Sequence, residues 1–182
     1  MGKITPELII STASQLISQT KKAEISLTQI ADQLDVTHAA IYKHFKNKQA
    51  LWEAVAAQWF QENIIAEVKI KNINAEDPKD ELHEWLWQFV NAKKKVYHSD
   101  PQMFLLNTQY IDNNPAALNE VLIPAYQIID QIMGYADPGY EHAETLLAAF
   151  STFTLPNFKD TWDQPDYQKR FEMLWQLVKD GL

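Results

Sequence analysis

Cysteine is absent from the 182-residue chain. That excludes disulfides, thiolate metal sites and cysteine nucleophiles, and it suits a reducing cytoplasm. Glycine is scarce, with four residues, too few and too scattered for a phosphate-cradling loop. No apolar run approaches the roughly 18 residues of a membrane helix, and no basic-then-apolar leader opens the chain, so neither a span nor a signal peptide is expected. Alternating apolar and polar stretches of strand length are missing too. The five histidines, His38, His44, His83, His98 and His142, make no HExxH pattern and no Glu-x-x-His pair. Glu141 and Glu144 lie one turn apart but read as solvent charge. No catalytic constellation, metal or cofactor is expected.

Positive charge is also in deficit. Lys and Arg number 16 against 24 acidic residues, a net charge of −8. That total argues against a nucleic-acid partner until the charge is divided along the chain. Up to Ala50, Lys3, Lys21, Lys22, Lys43, Lys46 and Lys48 stand against Glu7, Glu24, Asp32 and Asp35, a balance of +2, whereas Leu51–Leu182 carries −10. Phosphate binding needs cations only at the contact surface. Lys43, Lys46 and Lys48 are therefore either the edge of such a surface or a solvated helix face.

What the chain does have is helix punctuation. Pro6, Pro78, Pro101, Pro115, Pro138 and Pro165 follow Thr, Asp, Asp, Asn, Asp and Gln, and most read as helix starts. Pro124 is expected to kink a helix and Pro156 to end one. The fold is all-α, with about nine helices.

The first fifty residues are the most explicit. Thr5-Pro6 opens a helix with Ile9, Ile10, Ala13, Leu16 and Ile17 on one face. Ser26 and Gln29 form a capping-box pattern ahead of Ile30 and Leu34. Asp35-Val36 breaks that run. Thr37 caps a short helix with Ala40, Ile41 and Phe45 as its apolar positions, and Asn47 caps a longer one from Lys48. Ile9, Ala13, Leu16, Ile30, Leu34, Ile41 and Phe45 supply a shared apolar centre. Two short helices joined by a tight turn make a helix-turn-helix, whose second helix lies in the DNA major groove. His38 and Ala39 open that helix, where base edges are approached. Thr37 can offer its hydroxyl to a phosphate, and Tyr42 and Lys43 sit one turn on. Thr28, His44 and Lys46 are further candidates. Tyr42 has the alternative of packing on the following helix, and His44 that of bracing its own helix end.

Ile30-Ala31, Val36-Thr37, Ile41-Tyr42, His44-Phe45, Lys48 and Leu51 stand at the spacing of the N-terminal signature of the tetracycline-repressor (TetR) family, which this segment resembles from about Ile9 to Val55. The string from Ile41 to Lys48 is the most distinctive part. The family usually has glycine in the turn here read Lys21-Lys22-Ala23-Glu24, and again where Asp35 stands; aspartate tolerates the left-handed conformation. The resemblance implies a DNA-binding domain over residues 1–47 and a helical ligand-binding and dimerisation domain over 48–182. It also implies that Tyr42 and Lys48 touch the DNA backbone. The protein would be a homodimeric repressor released from a double-stranded operator by a small-molecule effector. The reading to set against it is a helical protein-interaction or ligand-binding protein without DNA binding.

Beyond Lys48 the apolar stripes serve either core or ligand. A helix from Lys48 to about Lys69 is expected to link the two parts, followed by a polar loop over Lys71–Asp77. Helices then start at Pro78, Pro101 (to about Ile111) and Pro115, the last ended by Gly134. They are rich in aromatic and Met side chains of the kind that line ligand cavities, and Trp85, Phe89, Phe104, Tyr110, Tyr126 and Met133 are the candidates. Lys93 falls inside an apolar stripe. It either snorkels outward or meets an anionic ligand. Two final helices, Pro138–Leu155 and Pro165–Asp180, carry Leu147, Phe150, Phe171, Leu174, Trp175 and Val178. These stripes suit a four-helix bundle with a second copy, as the resemblance also implies, or packing within their own chain.

Overall fold

A computed structural model describes residues 4–69 and 77–182 of the chain. Nine α-helices and no strand occur among those residues: α1 (Pro6–Thr20), α2 (Leu27–Gln33), α3 (His38–Tyr42), α4 (Lys48–Phe60), α5 (Pro78–Ser99), α6 (Pro101–Asn107), α7 (Pro115–Met133), α8 (Glu141–Ala149) and α9 (Tyr167–Val178). None is long and apolar enough to cross a membrane. The expected loop over Lys71–Asp77 lies, except for Asp77, outside the described residues.

The helix starts follow from side-chain capping. Thr5, Ser26, Thr37 and Asn47 each accept a hydrogen bond from the amide three residues on, and Ser26 with Gln29 closes the full capping box. The two turns without glycine use the left-handed region instead, with φ of 56° at Lys21 and 52° at Asp35. A side chain with a Cβ is strained there, so Lys21→Gly should stabilise the protein by about 0.5 kcal/mol, the relieved strain exceeding glycine's extra chain entropy. A thermal midpoint that falls rather than rises would refute that reading of the turn.

Two compact units emerge. The first comprises Met1–Gln61 with Asp100–Leu118, and the second Glu62–Ser99 with Asn119–Leu182. In the first, α1 packs on α2, α4 and α6, and α4 packs along α6. Ile9, Ala13, Ile30 and Ile41 are fully enclosed and Phe45 nearly so. Leu16 and Leu34 are only half-buried, while Ile17, Ile25, Leu51, Trp52 and Val55 complete the centre. The core is wider than the three-helix stripe implied because α4 and α6 share it.

Several boundaries differ from expectation. The helix from Lys48 is α-helical only to Phe60 and passes through a π-turn, Gln61–Ile65, rather than running to Lys69. The helix from Pro101 gives way to a π-turn at Thr108–Asp112. Pro138 and Pro165 do not open helices. Asp137 Oδ2 takes the His142 amide (3.0 Å) and Nδ1 (2.6 Å), and Tyr140, at φ 58°, delays α8 to Glu141. After Ala149 the chain tightens into 3-10 turns at Ser151–Phe153 and Pro156–Thr161, so Pro156 begins a turn instead of ending a helix.

The second unit is centred on aromatic rings. Phe171 of α9 lies 4.8 Å from Trp87, 5.3 Å from Phe150 and 5.8 Å from Phe153, ring centre to ring centre. His83 of α5 meets Phe171 and Trp175 edge-on and pairs with Glu172 at 3.0 Å. Phe150 and Phe171 have no exposed surface in the single chain. They fill this chain's own core, so a partner could not reach them without unfolding it. Leu147 and Trp175 are also buried, and Leu174 and Val178 are half-buried.

Candidate nucleic-acid interface

Helix α3 is held to α2 by one side-chain bridge. His38 Nε2 lies 3.1 Å from Thr28 Oγ1, linking the first residue of α3 to the first turn of α2. Ile41 plugs the core behind it, and Phe45 follows it inside. Thr28, Thr37, His38, Ala39, Tyr42, Lys43, Lys46 and Lys48 are all exposed, and His44 is half-buried. Tyr42 keeps 46% of its surface open, so it does not pack away on the following helix. Thr37 Oγ1 already accepts from Ala40 N at 3.3 Å, which leaves its hydroxyl proton to donate. The predicted set therefore lies outside the core. Exposed hydroxyls and ammonium groups around a short helix match what phosphates and base edges require.

Behind this surface is a network that sequence spacing did not reveal. Lys48 forms an ion pair with Glu24 in the α1–α2 turn. The other Glu24 oxygen accepts from the Tyr110 hydroxyl at 3.1 Å. Burial first, then the hydrogen bond to Glu24 and its negative charge, push the Tyr110 phenol up to about 12. It remains a neutral donor throughout the physiological range. Two further contacts bind the chain around α6 to α4: Trp59 Nε1 donates to Asp100, the α6 N-cap, at 3.1 Å, and Asn114 Nδ2 donates to Glu53 at 3.1 Å. Tyr110 itself sits 6.5 Å from the Trp52 ring. Only the lone Glu24 among lysines hinted at an electrostatic role.

The residues predicted for a ligand pocket divide between the units. Trp85, Phe89, Lys93, Tyr126 and Met133 belong to the second, Phe104 and Tyr110 to the first. Trp85 and Phe89 stack at 5.1 Å with an interplanar angle of 10°. One turn further, Lys93 is 2% exposed, which overturns the snorkelling reading; its ammonium stays inside because α5 carries it on the core face with Leu86, Phe89 and Val96.

The sequence of the interface decides its ancestry. Residues 9–55 match the family model described as bacterial regulatory proteins, tetR family. This segment is a tetR-family domain. Its relatives include the class C tetracycline repressor protein of Escherichia coli, 38% identical over 56 residues, which cover 31% of this chain and 26% of that one. The class A tetracycline repressor protein from transposon 1721, also of Escherichia coli, is 33% identical over 63 residues, or 35% of this chain and 29% of that protein. The chain thus spans less than a third of the curated relatives it matches. A solved structure described as a tetR-family transcription regulator from Shewanella sp. PV-4 is similar over 94% of this chain and 96% of its own, with a TM-score of 0.52 and 20% identity. That likeness establishes a common all-helical fold. Within the tetR-family domain the structure uses Lys21 and Asp35, both left-handed, at the two places where glycine was expected.

Proposed function

We propose that this protein is a cytoplasmic DNA-binding transcriptional regulator, acting as a homodimeric repressor that a small molecule releases from its operator. The observation that carries the reading is the outward set on α3 and its flanks, with Tyr42, Lys43, Lys46 and Lys48 exposed on a rigidly capped, tetR-family domain. Residues 1–47 would read DNA, and the chain from Lys48 would supply effector binding and dimerisation. Thr28, Thr37, Tyr42, Lys46 and Lys48 contact phosphates in this scheme, while His38, Ala39 and Lys43 approach base edges and His44 braces the helix end.

The effector reading is supported by the aromatic side chains of α5, where Trp85 and Phe89 stack at 5.1 Å, residue types that line apolar ligand sites. The dimer reading is supported by the outer face of α9. Met173 is 57% and Leu177 81% exposed, one turn apart. Leu177 also borders a groove of about 500 Å³ with Leu146, Ala149, Val178 and Leu182. Solvated leucine and methionine at helical spacing suit a second copy crossing in a four-helix arrangement.

Selection of bound duplexes from fragmented genomic DNA tests the function. Purified protein should enrich one two-fold related site, and its affinity should fall steeply with salt, because each phosphate contact contributes roughly 0.9 to the logarithmic slope. No affinity for any duplex at low salt would favour a protein-interaction or ligand-binding role without DNA.

A further inference from the structure

Both oxygens of the Glu24 carboxylate are in use, and they face different parts of the first unit. One meets the Lys48 ammonium, the other the Tyr110 hydroxyl, which comes from 86 positions away. The Lys48 side chain is 52% exposed and that of Glu24 28%, so the cation is accessible from solvent while the carboxylate sits closer to the protein. Tyr110 is 6% exposed and belongs to a π-turn whose flanks are tied to α4 through Asp100 and Asn114. Its hydroxyl is therefore fixed relative to the first turn of α4, and it holds Glu24 at one place beside Lys48.

We infer that Glu24 is a latch on Lys48, anchored by Tyr110, which competes with DNA phosphate for the lysine ammonium. This rests on the DNA-binding reading above. A carboxylate and a phosphate oxygen are chemically alike as acceptors, and an ammonium in close contact with one must loosen that contact to meet the other with full strength. A carboxylate immobilised by a second hydrogen bond has less freedom to lose on pairing than a mobile one, which favours the latched state. Once Lys48 turns to a phosphate, the uncovered Glu24 charge faces the duplex and opposes binding. The latch lowers affinity in two ways: through the contact that must break and through the anion left behind. Any change that moves the π-turn and withdraws Tyr110 loosens Glu24 and alters DNA affinity without touching α3.

Equilibrium binding to a duplex at fixed salt provides the test, with four variants whose helicity and thermal midpoints are compared first. Glu24→Gln keeps the shape and an acceptor for Tyr110 but loses the charge, and should bind about fivefold tighter, as expected for release of one partly exposed ion pair. Tyr110→Phe keeps the buried ring and should tighten binding about twofold. In a Lys48→Gln background, Glu24→Gln should tighten binding only about twofold, because no contact is left to break and only the repulsion of the uncovered anion is relieved. Unchanged or weaker binding by Glu24→Gln overturns the inference. An equal gain with and without Lys48 overturns it too, since that would be the protein's general field rather than a competition. Tyr110→Phe binding like the parent removes Tyr110 as anchor. Failure of the unsubstituted protein to bind any duplex would instead remove the functional reading on which the latch depends.

Discussion

Truncation of Phe171 to alanine should cost about 3–5 kcal/mol of folding free energy, measured as a fall in the urea midpoint of the second unit. Phe171 has no exposed surface and meets Trp87, Phe150, Phe153 and His83 within 5.8 Å of ring-centre separation. The loss combines the transfer of a buried ring with a cavity that rigid neighbours cannot collapse to fill. Domains of this size are stable by only about 5–15 kcal/mol, so one truncation removes a large share. Leu177→Ala is the matched control: its side chain is 81% exposed, and the monomer's stability should move by no more than about 0.5 kcal/mol. Equal effects at the two positions in the dissociated monomer would contradict the placement of α9, because they would mean that both of its faces are packed within one chain.

Replacing Tyr42 and Lys48 together with alanine should reduce affinity for the selected operator by about a hundredfold near 0.1 M salt, roughly tenfold for each phosphate contact. The salt slope should become shallower by about 0.9, the share of Lys48 alone, since a tyrosine hydroxyl displaces no counterion. Removal of Lys48 also leaves Glu24 without its cation, adding an unpaired negative charge to the surface that meets DNA. Helicity and dimerisation should be unchanged, because Tyr42 is 46% exposed and no enclosed core residue is altered. Affinity retained by the double variant would remove both residues from the interface and place the contact elsewhere on the molecule.

The two halves of the protein differ in how far their sequence could be read. In the first fifty residues, function and local structure use the same short-range chemistry. Thr5, Ser26, Thr37 and Asn47 cap their helices through amides three residues away, so each start is written within four positions. Asp35 takes the left-handed turn that its side chain tolerates. In the later part, Pro138 carried the same apparent signal and misled, because the hydrogen bonds of Asp137 and the left-handed Tyr140 moved the start of α8 to Glu141, and α9 likewise opens at Tyr167, two residues past Pro165. The stripe of α9 was correctly apolar, yet periodicity does not say whether a stripe faces its own chain or a second copy. Here Phe171 faces inward, and Met173 and Leu177 stay in solvent.

The chain's composition and spacing were enough to establish an all-helical protein with a tetR-like N-terminal segment, because capping, turn conformation and helical periodicity act over one to four residues. Tertiary structure alone decided that Lys93 is buried, that α6 packs on α4, and that Glu24 stands between Lys48 and Tyr110. Those are contacts between residues tens of positions apart, brought together by burial of side chains whose pairing no local pattern encodes.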